Sequence, residues 1–161
     1  MRRELLFLLL KANVVVTAFV ILTGFIFGFD RQSGDSMDPA VKDGDVAFFY
    51  RLQKEYSRSD LVVLEKDGEH QVRRVLAGPG DVVDITEEGL KINGYLQQEE
   101  EIYTDTTRFA DGIEFPVTVG PGEYFLLGDN RENARDSRIY GLVKQEEIKG
   151  IVLSLLRIRG F

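Results

Sequence analysis

Ser33-Gly34-Asp35-Ser36-Met37-Asp38-Pro39 divides the chain: a long apolar run ends just before it, and strand-like segments begin soon after it. Gly34 is free to take a positive φ and lets other backbone approach closely. Pro39 fixes its own φ and holds Asp38 extended. A serine on such a turn carries an exposed Oγ, and its N–H can point at an incoming carbonyl, which is how an oxyanion hole begins. The same residue types also make an ordinary polar connector between a membrane segment and a strand.

Upstream, residues 12–29 carry no charge, and Leu5 to Leu10 extend the apolar run, interrupted only by Lys11. Crossing a bilayer takes roughly 20 apolar residues. Arg2, Arg3 and Lys11 lie on the N-terminal side, so the positive-inside rule places the N-terminus in the cytoplasm and everything after Phe29 outside. Gly24-Phe-Ile-Phe-Gly28 offers no good small-x-small cleavage site, so the segment is expected to stay as a signal anchor. The expected organisation is a cytoplasmic tip and transmembrane anchor over residues 1–29 and an extracytoplasmic β domain over 30–161.

Downstream, β-branched and aromatic runs of strand length follow one another. They are Asp45–Arg51, Leu61–Leu64, Gln71–Leu76, Asp81–Ile85, Leu90–Ile92, Val117–Val119, Tyr124–Leu127 and Ile151–Ile158. Gly, Asp and Pro bound most of them. Asp81–Gln97 reads as a hairpin turning at Glu87-Glu88-Gly89, with a further tight turn at Asn93-Gly94. Tyr50–Asp60 reads as a loop, Gln98–Gly112 as a mobile acidic insertion, and Gln145–Ile148 as a short helical turn. The predicted fold is mostly β, with coiled irregular antiparallel sheets behind one N-terminal transmembrane helix.

Composition narrows the chemistry. The 161 residues carry a net charge of −7, and removing the anchor makes the rest more acidic, because three basic residues and only Glu4 lie there. No nucleic-acid partner is expected without a basic stripe. With no cysteine, thiolate catalysis, disulfides and cysteine-bound zinc are excluded. His70 is the only histidine, so no metal site is expected, and a Ser-His-Asp triad would have to use that one ring.

Two further stretches carry polar chemistry. Gln71-Val-Arg-Arg-Val-Leu-Ala-Gly-Pro-Gly-Asp81 is a basic strand entering a Pro-Gly turn. Gly128-Asp-Asn-Arg-Glu-Asn-Ala-Arg-Asp-Ser-Arg-Ile-Tyr-Gly141 is a polar loop opened and closed by glycine. Each alone is compatible with an edge strand kept soluble by arginine or with a hydrogen-bonded loop. Together, in this order and behind a signal anchor, they resemble the type I signal peptidases, membrane-bound Ser-Lys serine proteases. Gly34–Pro39 is similar to that family's Gly-x-Ser-Met-x-Pro box, and Gly44-Asp45 to the Gly-Asp that follows it. Gln71–Asp81 is similar to Tyr-Val-Lys-Arg-Val-Ile-Gly-Leu-Pro-Gly-Asp. Gly128–Gly141 is similar to Gly-Asp-Asn-Arg-x-x-Ser-x-Asp-Ser-Arg-x-x-Gly.

The resemblance implies a signal-peptidase fold and a division of labour. Ser36 would be the nucleophile, its N–H contributing to an oxyanion hole with a group near Gly34. Gly34, Met37 and Val72 would border the substrate, which would lie extended as an added strand. Asp136 and Arg138 would form a structural ion pair. No cofactor is implied.

This chain departs from the pattern where the proton chemistry would be. The general-base lysine position is Arg73, in a register fixed by Arg74-Val75 and Pro79-Gly80-Asp81. A lysine in apolar surroundings can become neutral and take the serine proton; arginine stays protonated and offers no lone pair. The serine that would orient the lysine is Ala134. His70 and Lys66 both stand at odd offsets from Arg73, which on one continuous strand means the opposite face, and Asp67-Gly68 is expected to turn the chain between Lys66 and Arg73. Asp35 and Asp38 flank Ser36, and Arg73 is expected within reach of Asp35, Asp38 or Ser36. The implied function is that of a catalytically defective signal-peptidase-like accessory protein. Such proteins assist pilus assembly in Gram-positive bacteria, with pilin or other exported precursors and sortase as partners. The alternative is an active signal peptidase using Ser36 as nucleophile.

Overall fold

The structure is a computed structural model that describes residues 2–100 and 102–157. Helix α1, Arg2–Ile26, is 25 residues long. At about 1.5 Å per residue it is long enough for a hydrocarbon core of about 30 Å. Its leucines, valines and phenylalanines are exposed along its length, as expected of a helix without a polar face. The helix stops three residues before the boundary read from hydropathy, because Phe27–Arg31 form strand β1 instead. β1 pairs antiparallel with β2, Val46–Tyr50, from Phe27↔Tyr50 to Arg31↔Val46. Phe27 stacks on Phe48 with ring centroids 5.2 Å apart. A run of apolar residues therefore serves as helix and then as sheet edge, a switch that hydropathy does not register.

The next strands are β3, Leu61–Lys66, and β4, Glu69–Ala77. β5 (Val82–Thr86), β6 (Gly89–Ile92) and β7 (Tyr95–Leu96) make the expected hairpin and its extra turn. β8 is Val117–Thr118, β9 Glu123–Leu127 and β10 Val143–Lys144. A single-turn helix α2, Ser137–Tyr140, lies in the polar loop, and a 3-10 turn at Gln145–Glu147 leads into β11, Ile148–Leu156. Ile158, the end of the last expected strand, lies outside the described residues. β1, β7, β10 and α2 are short elements that the sequence pattern did not separate from their surroundings.

All pairings are antiparallel, in a seven-stranded sheet ordered β1-β2-β11-β3-β4-β9-β10 and a four-stranded sheet ordered β7-β6-β5-β8. Register shifts at Val75/Ala77, Ile148/Gly150 and Val152/Ser154 coil the larger sheet, since bulges add local twist. Gly150 makes one close approach possible: a Cβ there would meet the Tyr50 carbonyl. Phe125 and Leu127 join the small-sheet core around Val83, Ile85 and Ile92. A separate cluster of Met37, Val41, Ala47, Phe49, Val63 and Val72 lies beneath the Ser36 turn. Phe49 and Phe125 are thus core residues, with 1% and 0% exposure.

Residues 98–112, expected as a mobile acidic insertion, contain no helix or strand among the described residues. They are fastened at several points. Glu99 accepts from both terminal nitrogens of Arg131, each at 2.6 Å, and Thr106 Oγ1 accepts from the same guanidinium. Arg138 lies over the Phe109 ring, 4.6 Å from its centroid.

Candidate active site

The Ser36 turn hangs between the end of β1 and the start of β2. Gly34 takes φ 80°, and its N–H donates to Asp43 Oδ1 at 2.8 Å. That bond is made on the turn's own side, so the Gly34 amide is already occupied. Met37, expected beside the substrate, is fully buried, and its Sδ accepts from the Asp129 N–H at 3.4 Å. Val72, expected there too, is equally buried and packs in the same cluster as Met37. Both anchor the turn to the sheet.

The polar loop meets the turn from the other side. Asn130 N–H donates to the Ser36 carbonyl at 3.1 Å, and Asn130 Nδ2 to the Asp35 carbonyl at 3.1 Å. The loop is held by buried ion pairs. Arg138 donates from Nε and Nη2 to the two oxygens of Asp136, at 2.9 and 2.8 Å, and both side chains have 0% exposure. Asp136 also accepts from the Gly128 N–H at 3.1 Å and caps α2. Asp129 takes Arg74 in a two-point pair at 2.8 and 2.5 Å.

Arg73 reaches the serine from β4. Its Nη1 donates to Ser36 Oγ at 3.0 Å and to the Val72 carbonyl at 2.6 Å. Its Nε and Nη2 both donate to the Arg135 carbonyl, at 3.3 and 2.8 Å. The residue is 3% exposed. Among the described residues no carboxylate pairs with it. Asp35 and Asp38, expected as candidate partners, lie exposed on the outer side of the turn, and Asp35 Oδ2 instead stands 3.5 Å from Asn133 Nδ2. Arg73 approaches from the sheet below, where it donates to Ser36 Oγ and to the Val72 and Arg135 carbonyls and lies near the buried Tyr140 hydroxyl.

The candidate substitute bases fall differently from their parity along the chain. Val62 pairs with Arg73, Leu64 with Gln71 and Lys66 with Glu69. Opposed residues share a face, so Lys66 stands on the Arg73 face after all. Counting alternate residues fails here because Asp67-Gly68 turns the chain back between them. Lys66 is nevertheless committed elsewhere: Nζ pairs with Glu147 at 2.7 Å and sits 5.3 Å from the Tyr140 ring centroid. Among the described residues the buried Tyr140 hydroxyl makes no hydrogen bond of normal geometry. Burial pushes its pKa up, with the nearby charge of Arg73 opposing that rise. His70 lies on the opposite face, its Nδ1 2.8 Å from Asp30 Oδ1.

Ala134 is 1% exposed and packs on Gly128. Sequence reasoning overlooked Gln32, which is 4% exposed and donates from Nε2 to the Ser33 carbonyl at 3.1 Å and to Ser36 Oγ at 3.4 Å. It also overlooked the Arg135 carbonyl. A backbone carbonyl leaves no mark in side-chain composition, and a lone glutamine belongs to no recognisable spacing. No group of three or more His, Cys, Asp or Glu suited to a metal ion occurs among the described residues.

The sequence is similar to known proteins over nearly its whole length. The family described as signal peptidase, peptidase S26, matches residues 3–156. A signal peptidase I from Bacillus licheniformis is 32% identical over 163 residues, covering 92% of this chain and 87% of that protein. Signal peptidase I S from Bacillus subtilis is 35% identical over 152 residues, covering 87% and 83%. The crystal structure of a signal peptidase I from Enterococcus faecalis superposes with a TM-score of 0.51 at 27% identity, covering 61% of this chain and 97% of that one. With its mostly antiparallel sheets, its boxes around Ser36 and its long apolar α1, this chain is a membrane-anchored member of the type I signal peptidase family.

Proposed function

We propose that this protein holds an extended segment of an exported precursor in a signal-peptidase site without cutting it. The observation that carries this reading is the direction of one hydrogen bond: Arg73 Nη1 donates to Ser36 Oγ. A general base must accept the serine proton. A guanidinium has five N–H donors and no acceptor, and it does not deprotonate in proteins. Ser36 in the nucleophile position therefore faces a group that can only give it a hydrogen bond. Ala134 in the base-orienting position supports the same reading, because a site without a base has nothing there to orient. General-base assistance typically contributes 10²–10⁴-fold, and an unactivated serine lacks that factor.

In this reading Arg2, Arg3 and Lys11 mark the cytoplasmic end of α1, and the β domain lies on the outer face of the membrane. The precursor is of the pilin type, with sortase acting in the same assembly. That partner choice follows the resemblance to lysine-deficient relatives that assist pilus polymerisation.

The test is cleavage of a synthetic leader peptide spanning its processing site, by the full-length chain in detergent. The unmodified protein should bind the peptide and leave it intact. Arg73→Lys combined with Ala134→Ser should then produce measurable cleavage, abolished by adding Ser36→Ala. Turnover by the unmodified protein that is lost in Ser36→Ala would refute the non-cutting reading.

A further inference from the structure

Among the described residues Arg73 is a full charge without a counter-charge. It is 3% exposed, and its described partners are one hydroxyl and two carbonyls. Burying a charge costs free energy unless it is paired, and neutral dipoles neutralise none of it. The site thus favours any ligand that brings a negative charge.

The hydrogens around Ser36 point the same way. A hydroxyl has one donor and two acceptor positions. Arg73 Nη1 and Gln32 Nε2 both donate to Oγ, at 3.0 and 3.4 Å, which uses its acceptor capacity and leaves the O–H to donate outward. Among the described residues the Ser36 N–H donates to no acceptor. The exposed side of the turn therefore offers an O–H and an N–H together, backed by a buried positive charge. A peptide-bond carbonyl would satisfy such donors weakly. A carboxylate satisfies them with charge-assisted bonds, roughly twice as strong, and also neutralises the guanidinium behind them.

Building on the non-cutting reading above, we propose that the Ser36 site is a receptor for the free C-terminal carboxylate of a peptide. Its ligand is the end of an already cleaved leader rather than an unbroken peptide bond. A peptide C-terminus stays ionised at neutral pH, since its pKa is about 3.3–3.7. Asp35 and Asp38 on the rim oppose any anion, but they are exposed, and at physiological ionic strength exposed charges are screened within about 8 Å. Arg73 is buried and keeps its field. This reverses the family's order of events for this chain: a peptidase must act first, and this protein takes its product.

The test uses three fluorescent probes and the full-length chain in detergent, read by polarisation at pH 7. One is an apolar leader-type peptide ending in Ala-Gln-Ala with a free carboxylate. The second is the same peptide as its C-terminal amide, and the third continues across the junction as an uncut precursor. The acid should bind at least tenfold tighter than either other probe. Arg73→Gln should remove the preference. A thermal melt shows whether the variant folds. The comparison of acid with amide on the unmodified protein stands without it. Equal binding of acid and amide, or no binding of the acid at millimolar concentration, overturns the proposal. If the uncut probe binds as well as the acid and stays intact, the carboxylate proposal fails while the non-cutting reading survives. If it is cleaved, the non-cutting reading fails first.

Discussion

Gly128 passes so close to Ser36 that a Cβ on it would stand 2.5 Å from the Ser36 carbonyl oxygen and would also collide with the Ala134 side chain. The first residue of the polar loop is thus the spacer that sets how deep the serine turn sits. Gly128→Ala has no room, because both neighbours are buried or tied by hydrogen bonds. Overpacking of this kind costs about 1–3 kcal/mol. Urea unfolding should show a lower midpoint at unchanged slope. Peptide binding should weaken further than the stability loss alone explains, because the clash falls on the turn that carries Ser36.

Asp136 and Arg138 test what holds the loop. Each is fully buried and each is the other's counter-charge. Asp136→Asn removes the negative charge, leaves a buried guanidinium and weakens the bond to the Gly128 N–H. Breaking such a pair from one side costs about 3–5 kcal/mol. Equilibrium unfolding of the variant should fall by that order, and a loss near zero would show that the loop is held by packing.

Glu99 ties the acidic segment to Arg131. A hydrogen bond to a charged group is worth about 1.5–3 kcal/mol, and here Arg131 is entirely buried while Glu99 is partly open. Glu99→Gln should expose residues 98–112 to protease several-fold faster, with the β strands cut no sooner than before. Hydrogen exchange confined to the same segment is the second readout. Uniform destabilisation would contradict a local tether.

Glu147 gives a pH dependence. Its burial works to raise its pKa, but the hydrogen bonds from Lys66 and the Lys144 amide, and the charges of both lysines, bring it below the ordinary 4.5. A carboxyl lowered in the folded state stabilises the fold above its unfolded pKa, and the contribution disappears as pH falls through the folded value. Melting temperature should therefore drop as acid is added from about pH 5 downward. Glu147→Gln should flatten that part of the profile and lower stability at pH 7. An unchanged acid slope in the variant would assign it to other carboxylates.

What was legible beforehand divides along a physical line. The hairpin at Glu87-Glu88-Gly89 and the strands around it were readable, because turn chemistry and alternation act over a few residues. The three boxes were recognised by their resemblance to the type I signal peptidases. The end of α1 was not readable, since Phe27–Phe29 are apolar whether they face lipid or the edge of β2. The face of Lys66 needed the strand pairing, because the turn at Asp67-Gly68 reverses the parity that a single strand preserves.

The covalent chain alone fixed that position 73 bears a permanently charged guanidinium, that position 134 has no hydroxyl, and that the first helix is long enough to cross a bilayer. Those are properties of side chains and of local length, and no packing alters them. Only the tertiary structure decided what meets that guanidinium. Its partners, Ser36 Oγ and the Arg135 carbonyl, lie 37 and 62 positions away, brought there by β4 and the polar loop. The rim aspartates, far closer to Ser36 in sequence, stay in solvent. Charge is written residue by residue, but its neutralisation depends on distance in space, and that is set by the fold.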